Sequence, residues 1–228
     1  MSLHITPGMR SFVLCSKCSA HLTPIVAVDI DGTLGNYHKH FVDFSMDYFQ
    51  PPTNVNSVYG GEESFKKWWM REFNLGEKEW HDVKLAYRQG GMKRTMPIFP
   101  GASSMMARVR SAGPEVWVTT TRPYLSLDNI VPDTVEWLNR NSIEYDGILF
   151  DEDKYAQLVE RVDRDRIVAI LDDLPEMCLS ADGVVGRHVA IMASTQYNRD
   201  CAWPTTLDLR GAEYEILTRI REWYRIHV

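Results

Sequence analysis

The sequence predicts an α/β protein: a mostly parallel sheet with helices on both faces and a small helical lobe inserted after the first strand. Three observations lead there. Ile25-Val26-Ala27-Val28 is a short, largely β-branched apolar run that reads as a strand buried on both faces. From Pro97 onward, short apolar runs alternate with helical patterns, a rhythm that implies parallel strands joined by crossover helices. Between these regions, residues 35–98 break the rhythm with aromatic and apolar residues at helical spacing.

The totals narrow the field. A chain of 228 residues, 44% hydrophobic, suffices for one sizeable core with a modest second lobe. A net charge of −6 argues against long nucleic acid as a partner but allows a single nucleotide in a local pocket. No apolar run approaches the roughly 18 residues that span a bilayer. Phe12-Val13-Leu14 is too short for a signal-peptide core, so a cytoplasmic location without a membrane partner is expected. Four cysteines make no disulfide scaffold at this length. Cys15 and Cys18, with His21 nearby, form one C-x-x-C with no second to complete a zinc site, and read as ordinary thiols.

In chain order, residues 1–23 form an N-terminal extension, and the first strand is expected at about 25–30. The lobe, 35–98, places helical spacing at Phe41–Phe49, Phe65–Phe73 and Trp80–Tyr87, and ends near Gly90-Gly91. Its Lys66, Lys67 and Arg71 balance Glu62, Glu63 and Glu72, so no basic track is expected. The core comprises 24–34 and 99–228. A helix opened by Pro100-Gly101-Ala102 runs to Ser111 on a face of Met105, Met106 and Val109, and Gly113-Pro114 stops it. Strand two is Glu115–Thr119; the following helix ends near Asn141 with Val135 and Leu138 inward. Strands follow at Gly147–Phe150, Arg166–Leu171 and Arg187–Met192, with a helix at Lys154–Val162. A last helix, Leu209–Ile226, buries Ile216, Ile220 and Trp223.

The strand ends carry the chemistry. Asp29 and Asp31 project the same way at the carboxyl end of strand one, and Gly32 turns the chain beyond them. Ligands of open α/β sheets bind at such ends, and two acids closing an apolar strand need a cation or a proton. Strand two runs into Thr119-Thr120-Thr121-Arg122-Pro123, whose hydroxyls and backbone N–H groups suit a phosphate; threonines also favour strands and helix caps. Lys154 opens a helix, the wrong end for dipole reasons, though a solvated surface lysine reads the same. Strand four ends in Asp172-Asp173-Leu174-Pro175-Glu176. Asp173 is a candidate cap for the next helix, which leaves Asp172 for a cation such as Mg²⁺.

Taken together, Asp-x-Asp, Thr, Lys and Asp-Asp, each beside a buried strand, resemble the haloacid dehalogenase-like superfamily of phosphotransferases over about residues 24–195. Asp29-Ile30-Asp31-Gly32-Thr33-Leu34 matches its first motif, Thr120 the second, Lys154 the third and Asp172-Asp173 the fourth. The resemblance implies a three-layer Rossmann-like core with a helical cap at 35–98, and Mg²⁺-dependent phosphatase chemistry. Asp29 would be the nucleophile and Asp31 the acid and base, while Thr120, Thr121 and Lys154 would hold the phosphoryl oxygens. Mg²⁺ would lie among Asp29, the backbone carbonyl of Asp31, and Asp172, with Asp173 as ligand or directly behind one. An aspartate at position 31 favours a phosphatase or phosphomutase over a dehalogenase or an ion pump.

The Thr120-Thr121-Arg122-Pro123 turn, Gln196-Tyr197-Asn198-Arg199 and Pro97-Ile98-Phe99-Pro100-Gly101-Ala102 are similar to 5′(3′)-deoxyribonucleotidases. That likeness implies a small phosphate ester as partner, foremost a (deoxy)nucleoside monophosphate. Tyr37, Phe41, Trp68, Trp69, Arg122 and Asn198 are the candidate substrate residues; the aromatics suit either base stacking or the cap's own core. The alternatives are a polynucleotide 3′- or 5′-end phosphatase, which needs a basic groove, and a sugar-phosphate phosphatase or phosphomutase. A non-catalytic binding protein on the same fold is a further reading.

Overall fold

The computed structural model describes residues 23–51, 55–56, 58–59, 64–121, 126–199, 201 and 203–228. The expected extension before Thr23, with Cys15 and Cys18, lies outside the described residues, as does Arg122. Six parallel strands form one sheet: β1 (Ile25–Val28), β2 (Glu115–Thr120), β3 (Gly147–Phe150), β4 (Ile167–Asp172), β5 (Ala190–Ala193) and β6 (Thr206–Leu207). Their order is β3-β2-β1-β4-β5-β6. Eight α-helices accompany them among the described residues. These are α1 (Tyr37–Phe49), α2 (Phe65–Phe73), α3 (Glu77–Gln89), α4 (Ala102–Ser111), α5 (Ile130–Arg140), α6 (Lys154–Arg161), α7 (Pro175–Val185) and α8 (Leu209–His227). None is long and apolar enough to cross a membrane.

β1 is central because it is apolar on both faces. It pairs through Val26 and Val28 with Val116 and Val118 of β2, and with Ala169 and Leu171 of β4. Side-chain alternation divides its residues between two layers. Val26 and Val28 join Met105, Met106 and Val109 of α4 and Ile216 and Ile220 of α8. Ile25 and Ala27 join Tyr155 and Leu158 of α6 and Cys178 and Ala181 of α7. Crossovers of this kind put every strand's carboxyl end on the same edge of the sheet.

Several elements differ from expectation. α5 buries Trp137 and Leu138 while Val135 is only half-buried. β5 starts at Ala190, because Arg187 turns away to donate to the carbonyls of Arg164, Asp165 and Ile167. β6, two residues long, was not expected, since two residues carry no periodicity. Asp173 does not cap α7: Asp172 Oδ1 accepts from Leu174 N at 2.9 Å, and the Asp173 side chain turns inward.

Between β1 and α4 lie α1, α2, α3 and a 3₁₀ turn, Met92–Thr95. Their outgoing and returning segments run side by side. Asn36 N donates to Pro97 O and Phe99 N to Leu34 O, each at 2.8 Å, around a Gly35–Ile98 bridge. Within this lobe the aromatics pack on one another: Phe41 lies 5.3 Å from Trp80, and Trp69 stacks on Phe73 at 4.7 Å. Of the two uses open to these rings, the structure places Phe41, Trp68 and Trp69 in the lobe's own core, at no more than 1% exposure. Tyr37 is nearly as buried, at 8%. The lobe is also continuous with the sheet layer, since Trp137 Nε1 of α5 donates to Met96 O at 2.6 Å.

Candidate active site

Beyond β1 the ladder continues for one more bond, Asp29 N to Leu171 O at 2.9 Å, and then the chain folds back. Leu34 N and Gly35 N both donate to Ile30 O, and Gly32 N donates to Gly35 O. This turn requires φ +95° at Gly32. A β-carbon there would collide with the Asp173 carboxylate and lie 2.5 Å from the Tyr197 hydroxyl. Only glycine satisfies both the conformation and the space.

The turn and three neighbouring strand ends bring the expected residues together. Asp29, Asp172 and Asp173 are at most 5% exposed, and each offers a carboxylate oxygen within 4.8 Å of the others. Lys154, the first residue of α6, is 2% exposed, and its Nζ lies 2.6 Å from Asp29 Oδ1 and 2.7 Å from Asp172 Oδ2. It is therefore a buried counter-ion, not a solvated surface lysine. Tyr155 Oη donates to Asp172 Oδ2 at 2.5 Å, and Thr33 Oγ1 donates to Asp173 Oδ1 at 3.0 Å. Tyr197 Oη donates to the other Asp173 oxygen. Thr120 is fully buried, and its hydroxyl has no hydrogen-bond partner among the described residues. Thr121 follows, half-buried.

Two expected residues make contacts of their own outside the carboxylate group. Asn198 donates to Asp173 O and Ala193 O, and its Oδ1 accepts from Thr195 N, all at 2.8 Å. It clamps the loop behind Asp173. Asp31 stands apart from the carboxylate group, and its Oδ2 accepts from Lys93 Nζ at 2.5 Å. Lys93, in the 3₁₀ turn, is 1% exposed, so the lobe's charges do not all face solvent.

Sequence reading missed Lys93, Tyr155 and Tyr197 as contacts of the acids. Lys93 lies 62 residues from Asp31, and no spacing rule joins them. Tyr155 had a signal in its adjacency to Lys154, and Tyr197 in its place beside Asn198.

Burial sets the electrostatics. It pushes the Asp29 carboxyl up to about 7, with Lys154 opposing and Asp172 and Asp31 adding. Burial likewise holds Asp173 well above the carboxylate range, reinforced by Asp172 and Asp29. Burial opposes the charge of Lys154, but Asp172 and Asp29 outweigh it and hold the ammonium above its usual value. Burial beside carboxylates also keeps the Tyr155 and Tyr197 hydroxyls protonated, as donors. Carboxylates outnumber ammoniums here, which is costly in a buried site unless a proton or another cation enters. All-oxygen donors of this kind suit a hard divalent ion such as Mg²⁺.

Solved structures share this arrangement of elements. One is a predicted phosphatase from Clostridium acetobutylicum, with TM-score 0.58 and 15% identity, covering 86% of this chain and 99% of that one. The chain has the haloacid dehalogenase-like fold. A HAD family hydrolase from Deinococcus radiodurans R1, solved with bound phosphate and sodium, gives TM-score 0.56 at 14% identity, covering 85% of this chain and 96% of that one. The D,D-heptose 1,7-bisphosphate phosphatase from Burkholderia thailandensis gives 0.51 at 14%, covering 86% and 99%. No protein-family model matches the sequence, and no curated protein does. Open α/β sheets bind ligands outside the carboxyl ends of their strands, where this chain's carboxylates gather.

Proposed function

We propose that this chain is a Mg²⁺-dependent phosphatase that hydrolyses a small phosphate monoester through an aspartyl-phosphate intermediate. The observation that carries the reading is Lys154 Nζ bridging Asp29 and Asp172 inside a buried carboxylate group, with the buried Thr120 hydroxyl, unpartnered among the described residues, at the end of the neighbouring strand β2. Lys154 holds Asp29 Oδ1, which leaves Oδ2 to attack phosphorus; the new Oδ2–P bond forms as the P–O bond to the leaving group breaks. Asp31 gives a proton to the leaving oxygen and then takes one from the water that attacks phosphorus, regenerating Asp29 and releasing phosphate. Thr120 and Lys154 hold the phosphoryl oxygens. Asp29 and Asp172, with Asp173 directly beside them, would hold Mg²⁺, which when bound neutralises charge on the phosphoryl group.

Residues 35–98 serve in this reading as a cap that selects the substrate, its limits set by the paired segments around Gly35 and Ile98. A cavity of about 570 Å³ beside Gly32 and Thr33 has His38, Tyr59 and Tyr197 in its wall, a size and surface that support a nucleoside monophosphate. A sugar phosphate is the second reading, supported by the likeness to the heptose bisphosphate phosphatase.

The test is a panel of nucleoside monophosphates, sugar phosphates and an aryl phosphate, with Mg²⁺. We expect Asp29→Asn to lose at least about 10³-fold in kcat. Equal turnover by both proteins would sink the mechanism, and the best ester decides between the two substrate readings.

A further inference from the structure

Lys93, in the 3₁₀ turn, carries a charge into the interior of the lobe. Its side chain is 1% exposed, and an ammonium taken out of water costs several kcal/mol unless paired, whereas an apolar side chain packs there at no such cost. The charge is aimed instead. Nζ lies 2.5 Å from Asp31 Oδ2, with the Tyr37 ring centroid at 3.9 Å and that of Tyr87 at 5.7 Å.

The backbone that presents Lys93 is tied to the sheet layer. Gly91, at φ +69°, opens the 3₁₀ turn. Trp137 of α5 binds Met96 O, Arg94 Nε lies 3.2 Å from Asp133 of α5, and Asn129 Nδ2 donates to Arg88 O at 2.7 Å. The turn therefore stands fixed against the element that follows β2, while Asp31 is fixed by the Gly32 turn. We propose that Lys93 is a positioning residue, holding the Asp31 carboxylate in the orientation in which it exchanges protons with substrate and water. This rests on the phosphatase reading above. A carboxylate displaced by an ångström loses on the order of 10²-fold in rate.

The experiment is a double-mutant cycle of Lys93→Met and Asp31→Asn, read as kcat and KM for phosphate release from an alkyl and an aryl phosphate. Melting curves accompany each variant. Lys93→Met should lower kcat for the alkyl ester about 10- to 100-fold with KM within about threefold. The loss should be smaller for an aryl ester of an acidic phenol, whose leaving oxygen needs no proton. In the Asp31→Asn background the same change should cost less than about threefold. Lys93→Arg, which keeps the charge and moves the donor, is read in the same cycle and replaces Lys93→Met should that variant not fold. Independent, multiplying losses overturn the proposal, as does a rise in KM at constant kcat or an unchanged kcat. If the wild-type chain hydrolyses none of the esters, the phosphatase reading has failed; if it does hydrolyse them and the losses multiply, only the role of Lys93 has.

Discussion

Gly32, in the turn beyond β1, meets Asp173 and Tyr197 from two other strand ends, and each constrains the other two. A side chain at position 32 has to accept φ +95° and displace a buried carboxylate that Thr33 and Tyr197 hold from both sides. Gly32→Ala is therefore expected to destabilise by about 1–3 kcal/mol from backbone strain, with the collision added. It should also weaken Mg²⁺ binding measured by calorimetry; an unaltered melting temperature and affinity would contradict this account of the turn. At this scale the sequence was legible wherever a charge ended an apolar strand. Asp29, Asp31 and Asp172 had no structural use as strand residues, so they stood out as candidates for chemistry. Lys93 looked like any lysine, because what distinguishes it is a neighbour 62 residues away in the chain.

Elements were readable in proportion to their periodicity. α2 spans Phe65–Phe73 as its apolar spacing implies, with extended Ser64 before it and left-handed Asn74 after it. α1 begins at Tyr37, earlier than the spacing of Phe41–Phe49 suggests, because His38-Lys39-His40 interrupts the apolar stripe. The 3₁₀ turn at Met92–Thr95 has almost no pattern and is held from outside, by α5. Trp137→Phe keeps an aromatic side chain, removes the bond to Met96 O and leaves part of the indole's buried volume empty. We expect a loss of about 1–3 kcal/mol in denaturant melts, since a buried carbonyl is left unpaired. A fall in kcat should accompany it, because the turn that carries Lys93 loses an anchor. Unchanged kcat in a destabilised variant would separate the turn's anchoring from catalysis.

The whole molecule assembles its acids from separate strand ends, so protons would compete with the proposed divalent cation for the same place. With its carboxyl raised to about 7 by burial, Asp29 in the metal-free protein holds a proton below that pH and has to release it when Mg²⁺ enters. Apparent Mg²⁺ affinity should therefore fall as pH drops through 7, by about tenfold between pH 8 and pH 6 for this one proton. Calorimetric titrations at both values check it; equal affinities would mean that Asp29 is ionised throughout.

The paired segments around Gly35 and Ile98 look like the ends of a removable cassette, and protein engineers would cut there. The shared interior says otherwise. A transplant of residues 36–97 would have to supply an apolar underside for Leu34 and Trp137 and a cation at the height of Asp31. On the proposed reading, substrate preference should change most readily at exposed positions of the cavity wall such as Val58, which carry neither duty.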